Sequence, residues 1–140
     1  MKVKDVMTRD VAYIKPEASV FDAANIMQQN NIGSLPVVSD KSGVVGIVTD
    51  RDIVVRNVIT ASDPKTTPVS NIMTTNISTV TPDTEMEHLG ALMASKQIRR
   101  IPVVDNNALV GIVALGDLAT DRRFDIEAAV ALTDISKPCK

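Results

Sequence analysis

The two halves of the chain carry the same residues in the same order. Val6-Met7-Thr8 matches Ile72-Met73-Thr74, Pro16 matches Pro82, Ile32 matches Ile98, and Pro36-Val37-Val38 matches Pro102-Val103-Val104, every pair 66 residues apart. Gly46-Ile47-Val48 then matches Gly111-Ile112-Val113, and Asp52 matches Asp117, at a separation of 65, so one residue has been lost in the turn between. Pairs kept in register over most of the chain indicate a duplicated unit of about 60 residues, a length at which a lone unit is marginal. The expectation is two copies packed about a pseudo-twofold axis, sharing a core and leaving related clefts. Read contiguously, the first copy spans 1–62, the second 63–125, and a tail with a short helix 126–140.

Each copy reads as an α/β unit of strand, helix, two strands and helix. In the first, residues 3–8 form a helical turn with Val3, Val6 and Met7 on one side, and Val11–Ile14 forms a short strand stopped by Pro16. Ser19 caps a helix in which Val20, Ala23, Ala24 and Met27 recur at three- and four-residue spacing, and Asn30-Asn31 ends it. Ser34–Val38 is a strand with Pro36 at an edge or irregular position, Asp40–Gly43 a turn, and Val44–Val48 a buried strand leading to a helix from Thr49 to Asn57 or Ile59. In the second copy, Ile77–Val80 is the strand, Asp83 or Thr84 the cap, and Met86, Leu89, Gly90 and Met93 the buried stripe. Ile98–Val104 begins with Arg99-Arg100, Leu109–Val113 follows, and a helix runs from Ala114 to about Phe124. A last helix covers Glu127–Leu132, and Ser136–Lys140 is frayed.

Composition narrows the function. Aromatics are 2% of the chain, so the core is aliphatic and a base-stacking platform is not expected. With 15 basic and 17 acidic residues and no basic block, nucleic-acid binding is not indicated. No run of 18 apolar residues occurs, so no membrane span is expected. The N-terminal Met1-Lys2-Val3-Lys4-Asp5 lacks a signal-peptide core, and a single cysteine, Cys139, offers no internal disulfide. A cytoplasmic setting is expected. One His and one Cys do not make a zinc cluster, and His88 lies on a polar helix face.

The stretch Gly46-Ile47-Val48-Thr49-Asp50-Arg51-Asp52 is a buried strand turning directly into a helix. Thr49 and Asp52 have capping-box spacing, and the same geometry sets a hydroxyl and a carboxylate at the mouth of the turn, where a sugar can be held. The second copy, Gly111-Ile112-Val113-Ala114-Leu115-Gly116-Asp117, lacks the hydroxyl at Ala114. Arg99-Arg100 is a local positive pair that suits a phosphate or a salt bridge, and strand alternation predicts that the two face opposite ways. The first copy has Gly33-Ser34 there, so the two clefts differ.

These paired motifs resemble the cystathionine-beta-synthase (CBS) domain, and two in tandem resemble a Bateman module, over roughly residues 1–125. The chain is similar to small stand-alone bacterial and archaeal proteins made of little else. The resemblance implies a non-catalytic regulatory module that binds AMP, ADP, ATP or S-adenosylmethionine in a cleft between the copies, with no catalytic cofactor. It implies Thr49 and Asp52 toward the ribose, Ile14 and Pro36 flanking the base, and Asp117 in a related second pocket, with Arg99 or Arg100 toward phosphate. It also implies a homodimer, with Ile53, Val54 and Val58 of one copy and Leu118 and Ala119 of the other as interface candidates, and a separate effector chain. The alternative is a structural or protein-interaction module with vestigial pockets. No nucleophile–base pair supports an enzyme.

Overall fold

The opening turn of each copy is built into the body of the other. A computed structural model describes residues 1–120 and 124–138. Its contacts divide into two units, one of Ala12–Ile77 and one joining Met1–Val11 to the segment from Ser78 onward. The apolar side of the first turn explains the exchange, since Val3 and Met7 are buried with Met86, Leu89 and Met93. Val69 and Ile72 of the second turn are buried with Val20, Leu35 and Val48. A core residue of this kind contributes about 1.5–3 kcal/mol on burial.

In the 12–77 unit, Ser19 caps α1 (Val20–Asn30) by accepting the Asp22 amide at 3.0 Å, and Asn31 ends it in the left-handed conformation. β1 (Ser34–Ser39) and β2 (Gly43–Thr49) pair antiparallel, with a bulge between Val37 and Val38. The predicted strand at Val11–Ile14 contracts to a single parallel bridge. The Ile14 amide donates to the Pro36 carbonyl at 3.0 Å, and the Ile14 carbonyl accepts from the Val38 amide at 2.8 Å. Because the Pro36 carbonyl points toward Ile14, its donorless nitrogen also faces away from β2, so proline costs the hairpin no hydrogen bond. β2 runs into α2 (Asp50–Ile53), which continues as a wider π turn over Val54–Val58.

The other unit repeats this plan. α3 (Met86–Lys96) packs beside the hairpin of β3 (Arg100–Asp105) and β4 (Ala108–Ala114), which carries the equivalent bulge between Val103 and Val104. Asn106 and Asn107, both at positive φ, make its tight turn. The Val80 bridge to Val103 mirrors that of Ile14. Glu85, not Asp83 or Thr84, occupies the α3 N-cap. Thr84 is engaged elsewhere, its hydroxyl accepting the Thr81 amide and its carbonyl the Val3 amide. α4 (Leu115–Ala119) follows β4, and the expected continuation through 121–123 lies outside the described residues, as do Cys139 and Lys140. The tail forms α5 (Asp125–Ile135), longer than expected, packed on α3 and α4. No helix among the described residues is long and apolar enough to cross a membrane.

Matching glycines lock both turns. A Cβ on Gly46 would lie 2.8 Å from both the Met73 sulfur and the Thr74 carbonyl oxygen, and one on Gly111 2.7 Å from the Met7 sulfur and 2.9 Å from the Thr8 carbonyl oxygen. The backbones are paired there by reciprocal bonds, Ile47 with Thr74 and Ile112 with Thr8, all 2.8–2.9 Å. Gly46→Ala and Gly111→Ala are each expected to lower unfolding free energy by about 1–3 kcal/mol in urea titrations, as overpacking does. Gly116→Ala, with open space around it, should be neutral or stabilising by up to about 1 kcal/mol.

Candidate functional site

The corner where β2 becomes α2 is held by one carboxylate. Thr49 is the N-cap, and its hydroxyl accepts the Asp52 amide at 3.1 Å while Asp52 Oδ2 accepts the Thr49 amide at 3.0 Å, a complete capping box. The Asp52 side chain is buried and also takes the Thr74 hydroxyl, which lies 3.2 and 3.3 Å from its two oxygens. Arg56, one helical turn on, brings Nε to 3.8 Å from Oδ1 while its Nη1 donates to the Ile72 and Met73 carbonyls at 3.2 Å. Asp52 therefore ties the helix start to the exchanged turn. A carboxylate has about four acceptor positions, so few remain open.

Ile14 and Pro36, expected to flank the base, belong to the same unit as Thr49 and Asp52. Ile14 and Pro36 meet through their backbones, and both are buried, Ile14 within the aliphatic core. A groove of about 570 Å³ beside them is lined by Tyr13, Ile14, Lys15 and residues of α1, and includes neither Thr49 nor Asp52. Lys15 is committed to Asp40 at 3.1 Å, and this hydrogen bond and charge raise its pKa. Arg51 is exposed and has no ion pair among the described residues.

The second corner keeps the backbone and changes the chemistry. Asp117 accepts the Ala114 amide at 2.8 Å, its one hydrogen bond among the described residues. Thr8, the repeat equivalent of Thr74, gives it none, and the equivalent of Arg56 in the sequence is Asp121. Arg99 and Arg100 come to the same place. Both line one cavity of about 530 Å³ with Ala114, Leu115 and residues of α5, and Asp117 is not part of that lining. Arg99 precedes β3, and its carbonyl accepts the Leu115 amide at 2.8 Å, pinning it to the β4–α4 corner. Leu118 is fully buried, which removes it as an interface candidate.

Thr74, Arg56 and the α5 face were not anticipated as site elements. Thr74 was visible as a repeated threonine and Arg56 as a cation four residues after Asp52, the spacing of helical neighbours. Among the described residues no group of three or more His, Cys, Asp or Glu side chains is placed to hold a metal. The unequal networks predict unequal mutants. Asp52→Ala is expected to cost about 2–4 kcal/mol, from a lost cap and unpaired buried donors. Asp117→Ala should cost about 0.5–1 kcal/mol, both read from urea unfolding followed by circular dichroism.

Comparison with known proteins accounts for the doubled plan. The sequence profile of the CBS domain matches residues 3–59 and 69–121. The chain is 47% identical over 135 residues to the CBS domain-containing protein YhcV of Bacillus subtilis, covering 96% of this chain and 94% of that one. It is 34% identical over 124 residues to an inosine-5′-monophosphate dehydrogenase of Methanocaldococcus jannaschii, covering 88% of this chain but 24% of the enzyme. Among solved structures, it superposes with a TM-score of 0.73 and 31% identity on a CBS domain pair in complex with 5′-methylthioadenosine and S-adenosyl-L-methionine, covering 91% of this chain and 98% of that one. Hypoxic Response Protein I, solved with two coordinated zinc ions, gives 0.76 and 30% over 85% of this chain and 97% of that one. CBS pairs are regulatory modules rather than catalysts. With both copies matched, the chain belongs to the CBS domain family, as a tandem pair or Bateman module.

Proposed function

We propose that this Bateman module senses an adenosine-containing ligand, AMP, ADP, ATP or S-adenosylmethionine, and passes its occupancy to a separate effector protein. The observation that carries the reading is the solved CBS pair holding two adenosine compounds, which this chain matches over 91% of its length. Thr49 and Asp52 receive the ribose hydroxyls, since an acid at a helix start suits hydroxyl donors and repels phosphate. The Ile14–Pro36 backbone flanks the base. Arg99 and Arg100, with no ion pair among the described residues, take phosphate oxygens at the second corner, where a guanidinium fork fits them. Asp117 is the weaker counterpart of Asp52. The ligand acts by binding one arrangement of the module better than another, because only differential affinity shifts such an equilibrium. That a matching stretch forms 24% of a dehydrogenase chain accords with a module that serves an activity housed elsewhere.

A second reading, an interaction module with vestigial pockets, draws on the saturation of Asp52 by Thr49, Thr74 and Arg56. Isothermal titration of ligand-stripped protein separates the two. The sensor reading expects saturable binding to at least one of the four compounds and at least tenfold weaker binding by Asp52→Asn with its fold intact by circular dichroism. No heat from any of them, with folded protein, favours the interaction module.

The module acts as a homodimer in this reading. Val54, Val55, Val58 and Ile59 expose 44–75% of their surface on one helical stretch, an apolar patch of the kind that marks an interface. Sedimentation velocity should give twice the monomer mass of 15.0 kDa, and Val58→Glu should return the monomer without lowering the melting temperature.

A further inference from the structure

The cavity beside Arg99 and Arg100 has a wall that the CBS repeat does not supply. Asp125, Ala128, Ala129 and Leu132 of α5 form one side, and α5 begins beyond residue 121, where the family match ends. The packing of α5 is specific. A Cβ on Gly90 would approach the Glu127 Cβ to 3.0 Å, so the glycine lets the two helices close up. Ala128 and Ala131 are buried, and the Gln97 side chain donates to the Asp134 carbonyl at 2.8 Å and the Lys137 carbonyl at 3.2 Å, satisfying the last turn. The first copy has Ala24 and Asn31 at these two places, and no helix in the 12–77 unit takes the place of α5.

The lining has a definite chemistry. Two arginines without ion pairs among the described residues are in the lining, and Asp125 is its one acid. The remainder is alanine, glycine and leucine, and Ala114 removes the hydroxyl that Thr49 keeps in the first copy. The first corner is composed differently, because Asp50 and Arg51 replace Leu115 and Gly116, and Gly33-Ser34 replaces the arginines. At about 530 Å³ the cavity is of small-molecule size.

We propose that this cavity binds a phosphate monoester with a compact apolar or aromatic body, the phosphate on Arg99 and Arg100 and the body against α5, so that occupancy holds α5 in place. The proposal rests on the reading of the arginine pair as an anion site and extends it by assigning α5 as the wall that selects the rest of the ligand.

The test is a titration of the full chain with phenyl phosphate, followed by amide NMR shifts and by hydrogen exchange of α5. Saturable shifts are expected at residues 114–119 and 128–132, with at least tenfold slower exchange of α5 amides at saturation. Inorganic phosphate should bind at least tenfold more weakly. Arg99→Gln with Arg100→Gln, and separately Ala129→Phe, which fills the cavity from its exposed wall, should each weaken binding at least tenfold without loss of melting temperature. Asp52→Asn should leave phenyl phosphate binding unchanged, whatever its effect on adenosine compounds. Loss in the arginine variant but not in Ala129→Phe, or shifts that avoid α5, overturns the role of α5 and spares the anion site. Unchanged binding in the arginine variant, or no binding at all, overturns both.

Discussion

The contact between Gly46 and the Thr74 carbonyl decides the geometry of the first corner. With no side chain at 46, the 72–74 turn can lie directly on β2 and exchange two backbone hydrogen bonds with Ile47. That approach places the Thr74 hydroxyl on Asp52 and brings the Ile72 and Met73 carbonyls to Arg56. A side chain at 46 would push the turn outward and leave a buried carboxylate short of a donor, which costs more than the hydrogen bond itself contributes. Gly111 repeats the approach against Thr8. The glycine of the strand and the acid of the helix are thus parts of one device, joined by a turn that belongs in sequence to the other copy.

Duplication has preserved the backbone of that device and released its side chains. Bulge, bridge, hairpin register and glycine contact recur in both units. The first corner satisfies its acid with the Thr49 amide, the Thr74 hydroxyl and a cation one turn away. The second leaves Asp117 with a single amide and gathers two cations nearby instead. The charged groups therefore differ at two places that the backbone makes equivalent.

What could be read from the residues was what repeats or lies close along the chain. The 66-residue register gave the unit boundaries of the hairpins, Ser19 and Asn31 bounded α1, and the Thr49–Asp52 spacing produced the capping box. Distant partners were not legible. Glu85 stands at the N-cap of α3 without a side-chain cap bond, while Thr84 is held by Thr81 and Val3. The exchange of opening turns is equally nonlocal, since an apolar turn does not name the core it enters. α5 was seen too short because its apolar residues point several ways. Ile126, Val130 and Leu132 are exposed while Ala128 and Ala131 face inward, so no single stripe marks its length. Arg99 lies one residue before β3, so strand alternation does not govern its direction.

The saturation of Asp52 bears on how such a module would signal. A carboxylate free in a cleft could receive a ligand hydroxyl and change nothing around it. Here the same oxygens hold the Thr49 amide and the Thr74 hydroxyl. A ribose hydroxyl donating to Asp52 would compete with Thr74 or tighten the group around it. Either way the energy of binding is shared with the 69–74 turn, which contributes Val69 and Ile72 to the core. Such sharing is the differential interaction that a conformational response requires. The feature that makes Asp52 look merely structural is also the one that would let occupancy be felt beyond the site.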